Sequence, residues 1–207
     1  PLQAQLQALN HHQITLKQTT TRAYPANLTR TLLLFIQPHP LTGQPHHLAL
    51  QLRDTTPQPI TSAYWLNLSA TTWKTAWDAF QQQLLQHWHQ ALNTGQVPHL
   101  LDWEGNDWQC LQQWGQGEVA ALWQDPVSHH SALAPLLMQQ CYLPLAGRLT
   151  RYQLNHWFNA VESLPQPASL WHPDPLAEVL TENEINQQFT LQAQVWQWLQ
   201  QQCVSAW

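Results

Sequence analysis

Thr31–Asp54, TLLLFIQPHPLTGQPHHLALQLRD, is the stretch whose reading decides the fold. Leu32, Leu33, Leu34, Phe35 and Ile36 form an unbroken apolar run, the pattern of a strand buried on both faces. Leu41-Thr42-Gly43 follows with turn chemistry: Pro40 fixes one φ, and Gly43 is free to take a positive one. His47 to Leu52 alternates more evenly, as a neighbouring strand with one wetter face would. The stretch predicts an antiparallel hairpin, and the rest of the chain is read outward from it.

Before the hairpin, Leu2, Leu6 and Leu9 stand at helical spacing, so Leu2 to Leu16 predicts a short amphipathic helix broken by Thr19–Thr21 and Pro25. After it, Thr55–Pro59 is a loop with two prolines. Ile60–Leu68 predicts a third strand with Tyr64, Leu66 and Leu68 on one face. Ser69 or Thr71 is placed to cap a helix beginning near Thr72. Trp73, Trp77, Phe80, Leu84, Leu85, Trp88 and Leu92 give that helix a broad apolar stripe, and Gly95 ends it. Val97–Leu101 reads as a short buried strand, and Trp108–Trp114 as a second helix stopped by Gly115-Gln116-Gly117. Val119–Trp123 is a short apolar piece of open type. Further helices are predicted over Ser131–Leu143, Arg148–Leu164 and Thr181–Val204, with a proline-rich loop to Pro175 before the last. Thr181 and Glu184 have capping-box spacing. Strands early, helices late and one strand after a helix predict an α/β protein, a small mixed sheet begun by the hairpin and flanked by several helices.

With 207 residues the chain can bury one sizeable core, most simply as a single domain over 1–207. Its start at Pro1, without Met, predicts a fragment of something longer. Apolar residues make up 43%, which is globular, yet only 9% are charged, against roughly 25% in an average domain. Gln, His, Thr and Asn supply the polarity instead, so long-range steering of charged ligands is weak. Only seven basic residues stand against twelve acidic ones, a formal charge of −5, and they are too few to line a phosphate-tracking groove, so nucleic acid is at most a weak partner. Cys110, Cys141 and Cys203 are far apart and odd in number, which fits a reducing compartment better than a disulfide framework. No apolar run nears the ~20 residues of a membrane span and no signal-peptide core opens the chain, so a cytoplasmic, membrane-free protein is predicted.

Asp102, Glu104 and Asp107 form the densest acidic cluster, just after the Val97–Leu101 strand. Carboxylates at a strand end can hold a divalent ion through hard oxygen ligands. The same residues suit a turn, with Asp107 as N-cap of the next helix. His87 and His89 flank Trp88 on a helix and point about 200° apart, so they cannot share an ion. His11-His12, His46-His47 and His129-His130 are adjacent pairs that would face opposite sides of a strand. Neither HExxH, GxSxG, a P-loop nor GxGxxG occurs, and no cysteine is flagged as activated. Most of the 13 Trp stand at core spacing rather than as stacking platforms.

The order of these elements resembles the ribonuclease H-like superfamily, in particular its DEDD-type 3′–5′ exonuclease branch, a domain that also occurs as the C-terminal part of RecB-like nucleases. LLLFIQPHPLTGQPHHLALQL is similar to the family's first Asp-x-Glu strand, turn and antiparallel second strand. HLLDWEGNDWQCLQQW resembles its apolar strand, turn and helix start, and TENEINQQFTLQAQVWQWL its last helix. In this resemblance Phe35 and Gln37 stand where the first Asp and the Glu would be, and Asn186 where the last Asp would be; Asp107 alone survives as a ligand. The family's chemistry needs two divalent ions ~4 Å apart, held by about four carboxylates, and neutral Gln37 and Asn186 would leave them under-compensated. The resemblance therefore implies a catalytically inactive domain without cofactor, serving a structural or docking role beside the rest of a larger chain or a protein partner in nucleic-acid processing. Two alternatives stand beside it. One is a Trp- and Gln-rich protein-interaction module unrelated to nucleases. The other is an active Mg²⁺- or Mn²⁺-dependent nuclease using Asp102, Glu104 and Asp107.

Overall fold

In the computed structural model the described residues are 6, 15–16, 30–56, 58–96, 98–122, 129–142 and 179–204. In chain order the elements are β1 (Thr15–Leu16), β2 (Arg30–Pro38), β3 (Pro45–Arg53), β4 (Thr61–Trp65), α1 (Trp73–Asn93), β5 (Pro98–Asp102), α2 (Asn106–Trp114), α3 (Glu118–Ala121), β6 (His129–Ala132), α4 (Leu133–Gln140), β7 (Cys141–Tyr142) and α5 (Glu182–Val204).

The hairpin forms because both of its strands can be buried. β2 pairs antiparallel with β3 from Thr31↔Arg53 to Pro38↔Pro45, with a register shift at Gln37/Pro38. His39 N–H donates to Gln44 O at 2.7 Å and Gly43 N–H to His39 O at 2.8 Å, closing the turn. Gly43 takes φ +68°, a conformation an L side chain strains to reach.

A five-stranded mixed sheet runs β4-β3-β2-β5-β6. The two pairings on the β3 side are antiparallel, and β2–β5 and β5–β6 are parallel. β2 is thus central, which explains its continuous apolar run: Leu33 and Phe35 face one core, Leu32, Leu34 and Ile36 the other, all at 0–1% exposure. On one side of the sheet lies α1, with Trp77, Phe80, Leu84 and Trp88 inward, joined by Leu111 of α2. On the other lie α4 and α5, contributing Leu133, Leu137, Ile185, Phe189, Val195 and Leu199. The chain is therefore α/β, a mixed sheet covered by helices on both faces.

Several local expectations change in the structure. Neither Ser69 nor Thr71 caps α1. The N-cap residue is Thr72, without a side-chain cap bond, and Ser69 N–H donates to Thr72 Oγ1 at 2.9 Å instead. The third strand stops at Trp65, so Tyr64 and Leu66 pack toward α5 while Leu68 packs toward α1. Ser131 lies in β6, because pairing of His129–Ala132 with β5 overrides helical spacing, and the helix starts only at Leu133. Thr15–Leu16 pairs with β7 rather than ending a helix. Of the rest of the predicted N-terminal helix only Leu6, helical and exposed, is described, and Arg148–Leu164 and the loop to Pro175 lie outside the described residues. No helix among the described residues is long and apolar enough to cross a membrane.

Candidate functional site

Asp102 ends β5 with no exposed surface. Its Oδ1 accepts from Gly105 N–H at 2.8 Å and its Oδ2 from Trp108 N–H at 3.0 Å. It therefore caps α2 from three residues before the N-cap position, where Gly105 sits at φ +89°. Asp107, read from sequence as that cap, is used elsewhere. The β5 ladder on β2 stops at Leu33, and beyond it Ile36 N–H donates to Asp107 Oδ1 at 2.9 Å. The fully buried carboxylate thus ties the head of α2 to the central strand. Glu104 turns away and accepts from Asn106 Nδ2 at 2.9 Å. The three acids share a turn, but each has a different bonding partner.

His130 lies beside this turn, its Nε2 3.4 Å from Asp102 Oδ1, an ion pair when the ring is protonated. The ring stacks on Trp108 with centroids 4.4 Å apart and planes at 6°. Next to it, His99 Nε2 lies 3.0 Å from Ser131 Oγ, and the His99 ring stacks on Trp196 of α5.

Phe35, Gln37 and Asn186 are not brought together. Phe35, 1% exposed, packs in the core with Ile185 and Phe189. Gln37 is half-buried at the end of β2, opposite His47. Asn186 sits over β3 and β4, where its Oδ1 accepts from Gln51 Nε2 at 3.1 Å and from the Tyr64 hydroxyl. Gln51 pairs with Leu33, four residues along β2 from Gln37, so Gln37 and Asn186 stand about 13 Å apart along the strands. The rotation of α5 is set by Ile185 and Phe189, which turns residue 186 toward β4.

What surrounds Asn186 is a connected set that the sequence reading missed. Gln51 Nε2 also donates to Ser62 Oγ at 3.0 Å, and Gln51 Oε1 accepts from Arg53 Nε. Arg53 Nη2 reaches Thr190 Oγ1 of α5 at 3.3 Å. Burial pulls the Arg53 guanidinium below its ordinary pKa, opposed by Tyr64. Every hydrogen-bonding site of the Gln51 amide nitrogen is used, which is what a buried amide requires. The available signal was that Ala49, Gln51 and Arg53 share one face of the strand, the face the alternation marked as the wetter one.

A second polar group lies at the hairpin end. His47 is fully buried, and its Nδ1 accepts from Asn67 N–H at 3.1 Å. Burial, with adjacent His46 adding to it, lowers the His47 pKa to about 4. His46 and His47 do not face apart as a regular strand would place them, since their rings lie 4.2 Å apart next to the irregularity opposite Gln37/Pro38. Asn67, at φ +56°, donates from Nδ2 to Leu180 O at 3.2 Å and accepts Leu180 N–H on Oδ1 at 3.1 Å, clamping the approach to α5. Among the described residues no three His, Cys, Asp or Glu side chains are grouped to hold a metal ion. Comparison of the chain with protein-family models, with curated proteins and with solved structures gives no match.

Proposed function

We propose that the chain is a catalytically inactive ribonuclease H-like domain, a structural or docking part of a larger nucleic-acid-processing protein. The observation that supports this reading is the sheet. Its hairpin strand is central, flanked by the antiparallel β3–β4 pair on one side and by parallel β5 and β6 on the other. α5 lies across the sheet, and the turn after β5 delivers Asp107 to β2, the order in which the family motifs would follow. The reading of inactivity rests on chemistry. Where acids would gather, Phe35 is core, Gln37 is neutral, and Asn186 is engaged with Gln51 and Tyr64. Two divalent ions need about four carboxylates to balance their charge, and that balance is lost here. With few basic residues, the partner is the remainder of a longer chain or another protein rather than nucleic acid directly.

Incubation with single- and double-stranded DNA and RNA in Mg²⁺ and in Mn²⁺, with melting curves in the same buffers, tests the proposal. No cleavage and no metal-dependent rise in Tm are expected. Cleavage together with a Tm rise in Mn²⁺, both lost in Asp107→Asn, would establish an active nuclease instead. Asn keeps an oxygen for Ile36 N–H, so that variant removes charge with little change to the fold.

A further inference from the structure

On the α1 side of the sheet, an open cavity of about 470 Å³ lies between the hairpin turn, the first turns of α1 and the end of α2. It is lined by Gln44, Trp73, Lys74, Trp77, Asp78, Trp114 and Gln116, and its size is that of a small-molecule site. Its walls are held before any ligand arrives. Trp77 Nε1 donates to Trp114 O at 3.0 Å, and the Trp73 and Trp114 rings meet edge to face with centroids 5.4 Å apart. Gln116 N–H donates to Gln81 Oε1 at 3.0 Å, fixing that part of the rim. Walls fixed in advance lose little entropy on binding.

The lining selects a chemical class. Lys74 and Asp78, one helical turn apart, cancel in charge, which disfavours phosphate and other anions. One carboxylate cannot build a cation site. Trp73 and Trp77 are only 7% and 3% exposed, and Lys74 Nζ stands over the Trp73 ring 5.7 Å from its centroid, so half-buried Trp114 is the indole with most surface to offer a ligand ring. What remains is an indole wall ringed by two amides that donate and accept, one acceptor and one donor. That pattern complements a ring with C–H faces and a girdle of hydroxyls. We infer that this cavity is a binding site for a neutral carbohydrate, a pyranose unit or a short oligosaccharide. This site is separate from the acid-bearing turn and independent of the function proposed above.

Calorimetry of the whole chain with maltotriose, cellotriose, xylotriose and mannotriose at millimolar concentration tests the inference, alongside indole N–H shifts by NMR. Saturable binding of at least one sugar is expected, with the Trp77 and Trp114 indole signals moving. Asp78→Ala at an exposed position and Gln44→Ala at a half-buried one should each weaken it about tenfold, the effect of one hydrogen bond lost, with circular dichroism unchanged. No saturable binding across the four sugars overturns the inference. So does binding that both variants leave intact, or tighter binding of adenosine or uridine in the same cavity.

Discussion

At the scale of a residue, burial decides what each polar side chain can do. His47 is the clearest case. Its Nδ1 must stay unprotonated to accept Asn67 N–H, and the surroundings hold its pKa near 4, below the unfolded 6.5. Above pH 6.5 both states are neutral, and His47 adds no pH dependence. Between 6.5 and 4 the unfolded chain binds a proton that the folded chain refuses, so stability falls as pH falls, by up to about 3 kcal/mol. Urea denaturation of the wild type and His47→Gln from pH 7.5 to 4 checks this. The wild type should lose more stability than the variant across that window, and parallel curves would show that His47 is not responsible. Nothing in the sequence marked His47 apart from His46. Its distinction comes from the bulge beside Gln37 and from Asn67, twenty positions away.

At the scale of elements, what the sequence made legible is what short-range chemistry controls. β2 and the turn are read correctly because a buried strand needs an apolar run and a turn needs Pro and Gly. β3 pairs as expected, but the wetter face expected of it is buried under α5, with Gln51 and Arg53 at 0% and 7% exposure. α1 ends near Gly95 because Gly95, at φ +71°, permits the closing bonds Gly95 N–H to Leu92 O and Gln96 N–H to Ala91 O. α5 begins as its capping box indicates. Glu184 Oε2 accepts from Thr181 N–H at 2.8 Å, and Thr181 Oγ1 accepts from Glu184 N–H at 3.4 Å. β6 was illegible, since HHSA carries no strand pattern and exists by pairing with β5. The cap of α2 was assigned to Asp107 because local spacing cannot show that Ile36 N–H, 71 positions away, takes that carboxylate. The box on α5 gives a numerical test. Thr181→Ala removes one acceptor and should cost about 1 kcal/mol, as read from the urea midpoint. Glu184→Ala should cost a similar amount, and the double variant less than the sum, because the two groups bond each other. Additive losses would mean the pair does not act as a unit.

At the scale of the whole molecule, the face between the sheet and α5 determines whether acids could be restored. Phe35 and Gln37 both point to that face but occupy different environments. Phe35 is enclosed by Ile185 and Phe189, while Gln37 reaches the strand's end and is half-buried. Phe35→Asp gives up the burial of a phenyl ring, about 3–5 kcal/mol, and adds the cost of an uncompensated charge in an apolar core. Together these approach the roughly 5–15 kcal/mol that hold a domain folded. The variant should therefore fail to give a cooperative thermal transition at pH 7, and added Mn²⁺ should not restore one. Gln37→Glu places its charge at the wetter end of the strand and should change stability by no more than about 0.5 kcal/mol. Melting both variants with and without Mn²⁺ by circular dichroism separates packing from lost ligands. If Phe35→Asp folds and gains stability from Mn²⁺, position 35 belongs to a metal site and the face is a nuclease centre lacking one acid. If it stays unfolded in Mn²⁺ while Gln37→Glu melts like the wild type, the face is built for packing. Asn186, held by Gln51 and Tyr64 level with Leu33, is then part of the brace between α5 and the sheet.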